Sequence, residues 1–135
     1  MYPAINDPFT AMTCLDYIGN GLALFVRRGP ISPSIHDRDG QLRIVFDPVT
    51  FDTLLSAAFD MLRHASCHNS MVLLHMLETI NIIGQETKSP DARQSLLHHV
   101  TLIELESQEG SLIEDDRQSI YRSCEALQQK LKSPA

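Results

Sequence analysis

The sequence predicts a mainly α-helical fold, a bundle of about five helices with a small β-hairpin inserted after the first helix. Apolar residues recur at steps of three and four residues in five segments, which is the period of one helix face. A helix-start signal precedes each segment, and Asp39-Gly40 marks a tight turn between two short alternating runs. We expect a single domain over residues 1–135, with helices near 7–28, 51–66, 70–87, 90–108 and 112–132 and the hairpin near 34–46.

The first helix begins at Asp7-Pro8. An aspartate at the cap accepts from unpaired N–H groups of the first turn, and a proline at the first helical position loses no hydrogen bond. Because this signal lies so close to residue 1, we expect no leader ahead of it and an upstream part that is missing or belongs to another polypeptide. The apolar stripe of the helix is Ala11, Leu15, Ile18, Leu22 and Phe25.

Two glycines lie inside this helix, at Gly19 and Gly21. They indicate either a break or a continuous helix in which Gly19 and Ala23 let a neighbour approach closely. We favour the continuous helix because the apolar period continues through the glycines. Gly29-Pro30 then ends it.

The remaining helices have caps of their own. Thr50 caps the second, Asn69 or Ser70 the third and Ser89, before Pro90, the fourth. Ser111 and Glu114 form a capping box for the fifth. The third helix is apolar on nearly every side, which is typical of the central helix in a bundle.

The charge of the chain argues against nucleic-acid binding. The formal net charge is −6, and no Lys or Arg lies between residues 101 and 116. Six carboxylates occupy that stretch: Glu104, Glu106, Glu109, Glu114, Asp115 and Asp116. A phosphate backbone is repelled by such a surface, and the sequence contains no basic stripe to offset it.

Three widely spaced cysteines, Cys14, Cys67 and Cys124, indicate reduced and mostly buried thiols in a cytoplasmic protein. The uninterrupted apolar runs, such as Met71 to Leu74, are much shorter than the roughly 20 residues that cross a bilayer. We therefore expect no transmembrane segment in this chain.

Two stretches carry a family resemblance: INDPFTAMTCLDYIG (Ile5 to Gly19) and FDTLLSAAFDMLR (Phe51 to Arg63). The first half of the chain, with its hairpin between these stretches, resembles the soluble C-terminal region of a bacterial predicted-membrane-protein family, domain of unknown function 2254. The resemblance implies a soluble domain at the cytoplasmic face of the membrane, with membrane-embedded segments of a parent protein as possible partners. It implies no activity.

The candidate ligand-binding residues are Asn6, Asp7 and Thr10 at the start of the first helix, and Asp16 with Arg63. The N–H groups of a helix N-terminus can bind a ligand, but capping also explains the first group and is favoured.

Asp16 lies beside the core stripe, so its carboxylate needs a partner or a shifted pKa. Arg63, Arg27 or a tyrosine could be that partner. We favour a buried structural carboxylate over a binding or proton-handling role.

A metal site at His64, Cys67 and His68 is disfavoured. The second helix is expected to end between these residues, and no fourth ligand lies at a local spacing. We expect no cofactor. No nucleophile-elbow, phosphate-loop or dinucleotide motif is present, so we expect no enzymatic activity.

The favoured interpretation is a non-enzymatic helical domain that forms a homo-oligomer. The apolar third helix, the seam of the fifth helix and a hairpin with a free edge offer more apolar surface than one small bundle easily covers. The alternative is a sensor domain that responds to a metal or a small ligand bound at Asp16 or at the His64–His68 cluster.

Overall fold

The computed structural model describes residues 7–133, which form five helices and a two-stranded antiparallel sheet. In chain order these elements are α1 (Pro8–Arg28), β1 (Ser34–His36), β2 (Leu42–Val45), α2 (Phe51–Ala65), α3 (Ser70–Glu86), α4 (Pro90–Glu109) and α5 (Glu114–Lys132). The predicted five-helix fold with a hairpin after the first helix is confirmed.

The continuous course of α1 through its glycines is also confirmed. Gly19 is buried, and a Cβ atom there would collide with Cγ2 of Thr79 on α3. The missing side chain therefore lets α1 and α3 pack closely at this crossing.

The centre of the bundle is α3. It packs against α1, α4 and α5, while α2 bridges α1 and α4. The largest side chains buried almost completely come from all five helices, and they include Leu15, Leu55, Phe59, Leu73, Met76, Ile80, Ile83, Leu96, Ile103 and Ile120. A single contiguous core follows, as expected for a helix that is apolar on most sides and surrounded by amphipathic neighbours.

The side-chain caps form as predicted at Thr50, Asn69 and Ser89, each accepting from a backbone N–H of the first turn. The capping box predicted for α5 is wrong. Ile113 occupies the cap position and makes no side-chain bond. The Ser111 hydroxyl instead lies 3.2 Å from Nδ1 of His68, so a contact with the α2–α3 turn replaces the local cap.

The hairpin pairs Ser34 with Val45, Ile35 with Ile44 and His36 with Leu42, with a register irregularity after Ile35. Asp37 closes the turn: its Oδ1 accepts from the N–H groups of Asp39 and Gln41 at 3.0 and 2.9 Å. Gly40, with φ of +78°, supplies the left-handed backbone conformation that this turn needs.

The apolar surfaces of α3 and of the α5 seam are largely covered within one chain. The α5 seam of Ile120, Cys124, Leu127 and Leu131 is buried, as is most of the apolar surface of α3. Two of the three surfaces expected to remain for a partner are therefore used by the core itself. The hairpin is the third.

Candidate functional site

The hairpin and its flanks expose a set of apolar side chains, which we name the hairpin surface. Its members are Ile31, Ile35, Leu42, Ile44, Val45, Phe46 and Val49. Every residue of β2 is exposed, with Leu42 at 55% and Val45 at 69%. Since neighbouring residues of a strand point to opposite faces, Ile44 and Val45 place apolar groups on both sides of the sheet. Neither face is covered by the bundle.

An open groove of about 430 Å³ adjoins the base of the hairpin. Ile31 and Val49 of the hairpin surface line it, together with residues from the end of α1 and from the beginnings of α2 and α4. The apolar lining residues are Phe25, Val26, Pro30, Ile31, Pro48, Val49, Phe51 and Ala92. The hairpin surface thus continues into a concave apolar region of the same chain.

The charged tip of the hairpin contrasts with its apolar sides. Asp37, Arg38 and Asp39 lie in the turn, and Arg43 of β2 pairs with Asp37 at 2.7 Å. Hydrogen bonds, the largest from the Gln41 backbone, hold the pKa of Asp37 below its usual value, so this carboxylate is charged at neutral pH.

The side chains of Asp7 and Thr10 are hydrogen-bonded to each other at the start of α1. The Asp7 carboxylate accepts from the Phe9 and Thr10 N–H groups, and the Thr10 hydroxyl donates to it at 2.5 Å. These bonds, the Thr10 hydroxyl first, lower the pKa of Asp7. The geometry is that of a helix cap. Asn6, the third candidate of this group, lies outside the described residues.

Among the described residues, Asp16 pairs with His75 rather than with Arg63, Arg27 or a tyrosine. Its Oδ1 lies 2.7 Å from Nε2 of His75 on α3, and its side chain is 62% exposed. The expectation of a buried carboxylate near Arg63, Arg27 or a tyrosine is wrong. A small rotation of α1 decides whether this boundary position faces the core or the solvent, and the apolar period alone does not fix that rotation.

Arg63 is instead the centre of a buried polar cluster between α2 and α4. Its side chain is only 5% exposed. Its Nη2 binds Asp60 at 2.9 Å, and its Nη1 contacts Oε1 of Glu106 on α4. His64 Nδ1 lies 2.8 Å from the same Glu106 oxygen. Asp60 and Arg63 pair within α2, while the contact of Arg63 with Glu106 joins α2 to α4.

His99 extends this cluster into the core. It is 1% exposed, with Nε2 at 3.4 Å from the Ser56 hydroxyl and Nδ1 at 3.9 Å from Oδ1 of Asp60. Burial, the main cause, lowers the pKa of His99, and the positive charge of Arg63 adds to that effect, while Asp60 opposes it. His99 is therefore neutral at physiological pH. The roles of Glu106 and His99 were not predicted. The sequence shows only a histidine and a carboxylate seven residues apart on one helix, and this spacing does not indicate a contact with α2.

His64, Cys67 and His68 do not converge on one point. His64 turns to Glu106, and His68 to Ser111. Helix α2 ends at Ala65, so the last two residues lie in the turn that follows. Among residues 7–133, no group of three or more His, Cys, Asp or Glu side chains is arranged to hold a metal ion.

The cysteines differ in their surroundings. Cys124 is buried, and burial raises its pKa to about 12, which leaves the thiol protonated and unreactive. Cys14 is exposed and Cys67 is partly buried, so the expectation of mostly buried thiols holds only for Cys124.

These features define the chain as a small helical-bundle domain with an exposed apolar hairpin and a buried charged cluster. It belongs to the family described as predicted membrane protein (DUF2254), whose model matches residues 1–81. The matched part contains α1, the hairpin, α2 and most of α3. The resemblance stated from the sequence is thereby confirmed.

Uncharacterized proteins from Mycobacterium bovis and from two strains of Mycobacterium tuberculosis are 21% identical to this chain over 132 residues. The alignment covers 98% of this chain and 25% of each relative. The chain thus spans about a quarter of the length of the curated relatives it matches. No solved structure matches the chain.

One helix among the described residues, α1, is long and apolar enough to cross a membrane by length and composition. Uninterrupted apolar runs do not reveal this helix, because polar residues and the charged Asp16 separate its apolar residues. In the bundle, 28% of the 18-residue apolar stretch of α1 that meets this criterion is buried. Core helices of soluble proteins meet the same criterion.

Proposed function

We propose that this chain is a non-enzymatic domain at the cytoplasmic face of a bacterial membrane protein, and that it self-associates through the hairpin surface. The observation that carries the proposal is the exposure of apolar side chains on both faces of the hairpin. Membership in a family of predicted membrane proteins supports the membrane context. The free cysteines at positions 14, 67 and 124 suit a reducing compartment.

Burial of the exposed hairpin side chains against a partner would be energetically favourable. Complete burial of one large aliphatic side chain contributes about 1.5–3 kcal/mol. Ile35, Leu42, Ile44 and Val45 are each about half exposed or more. A two-stranded sheet also leaves hydrogen-bonding groups on both outer edges, and such edges pair readily with another strand.

A second copy of the chain fits this surface better than a lipid bilayer does. Insertion of the tip would place the charged groups of Asp37, Arg38 and Asp39 in hydrocarbon, at a cost of several kcal/mol. Edge-to-edge pairing leaves the tip in water. Arg43 is already neutralised by Asp37, so its charge does not repel the same residue of a second copy.

The proposed lack of catalysis rests on the surroundings of the nucleophile candidates. Ser56, His99 and Asp60 occur in the spatial order of a Ser-His-Asp triad, at 3.4 and 3.9 Å. His99 is buried, however, and Ser56 lies inside α2, where backbone N–H groups are used by the helix. The arrangement therefore offers neither substrate access nor amides for an oxyanion.

Light scattering over a range of protein concentrations tests self-association. We expect the wild-type mass to exceed that of one chain and to rise with concentration. Ile44→Lys introduces an unpaired charge on the hairpin surface and lowers that mass at each concentration. Met61→Lys is the matched control, because Met61 is 72% exposed on α2, away from the hairpin.

Circular dichroism should give the same helix content for both variants. A strictly monomeric wild-type chain at high concentration contradicts the proposal. So does an Ile44→Lys variant that keeps the wild-type mass.

A further inference from the structure

The solvent side of α1 carries a second regular row of residues, which we name the outer seam. Its members recur at alternating steps of four and three residues: Thr10, Cys14, Tyr17, Gly21, Leu24 and Arg28. All are exposed, and Tyr17 reaches 77%. The row is uncharged from Thr10 to Leu24. This spacing is the one by which two helices pack side by side.

Within residues 7–133, no neighbouring atom explains why position 21 is a glycine. A Cβ atom at Gly19 would collide with Thr79, whereas a Cβ atom at Gly21 would have no described residue within 4 Å. Glycine inside a helix is less favourable than alanine, so a structural reason for it is expected. Close approach by a helix from outside the chain would provide that reason.

The outer seam is complementary to itself in antiparallel orientation. When Tyr17 of one helix faces Gly21 of another, Cys14 faces Leu24 and Thr10 faces Arg28 by the same spacing. Each large side chain then meets a small one, as knobs-into-holes packing requires. Arg28 also comes near the exposed Asp7 carboxylate at the opposite helix start, so the charges at the two ends are complementary.

We propose that two copies of this chain pack through their outer seams, antiparallel and about a twofold axis, with Tyr17 of each copy over Gly21 of the other. This contact lies on a different element from the hairpin surface, so either interface can fail while the other holds. A twofold interface of this kind makes every contact twice.

A lipid bilayer is the competing occupant, because α1 passes the length and composition test for a span. Leaving the bundle would remove Ala11, Leu15 and Leu22 from the core. It would also break the hydrogen bond between Asp16 and His75 and the ion pair of Arg27 with Glu86, both of which hold α1 to α3.

Disulfide cross-linking tests the antiparallel seam directly. The proposed packing places Cys14 of one copy beside Leu24 of the other, and separates the two Cys14 residues by about ten residues, or roughly 15 Å. Leu24→Cys should therefore form a covalent dimer under mild diamide oxidation. Met61→Cys, exposed on α2, is the matched control.

Both variants are made with Cys67→Ser and Ile44→Lys, so that a hairpin contact cannot bring the copies together. We expect at least a tenfold faster appearance of the covalent dimer for Leu24→Cys than for Met61→Cys. Adding Gly21→Leu fills the seam at an exposed position, where an added Cβ atom meets nothing within 4 Å among the described residues, and should abolish the difference.

Equal cross-linking of the two cysteine variants overturns the proposal, whatever the hairpin experiment shows. Co-sedimentation of the Ile44→Lys chain with neutral phosphatidylcholine vesicles, combined with loss of cross-linking in their presence, overturns it in favour of lipid. Cross-linking that persists after Gly21→Leu contradicts the assigned packing.

Discussion

Alanine substitution at Gly19 and at Gly21 should change the stability of the bundle in different ways. The two residues lie two positions apart on α1, but Gly19 faces α3 and Gly21 faces solvent. At Gly19 the added methyl group collides with Cγ2 of Thr79, and at Gly21 it meets no atom of residues 7–133 within 4 Å. Comparing the same substitution at the two positions therefore separates the contribution of packing to stability from that of helix propensity.

The magnitudes follow from the two surroundings. Alanine improves helix propensity by about 0.8–1 kcal/mol at either position. Overpacking of a close contact costs about 1–3 kcal/mol. Thr79 is 4% exposed, and its hydroxyl donates to the His75 carbonyl at 2.9 Å, so its methyl group cannot rotate away freely. We expect Gly21→Ala to stabilise by up to about 1 kcal/mol and Gly19→Ala to destabilise by up to about 2 kcal/mol.

Urea denaturation at micromolar protein concentration, where association is weakest, measures both changes in the free energy of unfolding. Thr79→Ser is the matched control because it removes the obstructing methyl group and keeps the hydroxyl. Combined with Gly19→Ala it should restore most of the loss, as a coupling between two residues in contact. If Gly19→Ala stabilises as much as Gly21→Ala, or if Thr79→Ser restores nothing, the assigned contact between α1 and α3 is wrong.

Three further outcomes test the polar interior and the thiols. Glu106→Gln should lower the free energy of unfolding by about 1.5–3 kcal/mol in urea melts, because the buried Arg63 loses one of its two charged hydrogen-bond acceptors and keeps Asp60. An unchanged midpoint would show that the contact with Glu106 does not stabilise the fold. The pKa of His99 is lowered in the folded chain, so the unfolded chain binds more protons, and stability should fall as the pH drops below the ordinary value of 6.5 toward the folded pKa. Melts from pH 8 to 5 should show this fall in the wild type and a smaller one in His99→Gln. Native protein should react with Ellman's reagent at Cys14 and not at Cys124, and rapid labelling of Cys124 would contradict its burial.

Features set by neighbours in the sequence could be predicted well. The caps at Asp7, Thr50 and Ser89 are local, since each side chain bonds to an amide two or three residues ahead. The central position of α3 could be predicted because a helix that is apolar on most sides must be surrounded. The close contact at Gly19 could be predicted because the apolar period of α1 continues through its glycines, which indicates a continuous helix with a glycine facing its neighbour.

Features set by the rotation of one helix against another could not be predicted. Asp16 lies at the edge of the apolar stripe of α1. A modest rotation of α1 about its axis therefore decides whether its carboxylate is buried or lies at the surface beside His75 of α3, as it does here. The contact of Arg63 with Glu106 joins residues 43 positions apart, so the sequence gives only two charges of opposite sign. Ser111 has a capping sequence, but a tertiary contact with His68 takes its hydroxyl.

The exposure of the hairpin is a third kind of feature. Alternating β-branched residues identify the strands, but they do not say which face packs on the bundle. In the structure neither face does, and this result carries the proposed contact between copies.

Amide hydrogen exchange of the hairpin at low and high protein concentration tests that contact most directly. Residues 34–46 should exchange more slowly as concentration rises, and Ile44→Lys should remove this dependence while Met61→Lys keeps it. Equal exchange rates at all concentrations would contradict the account.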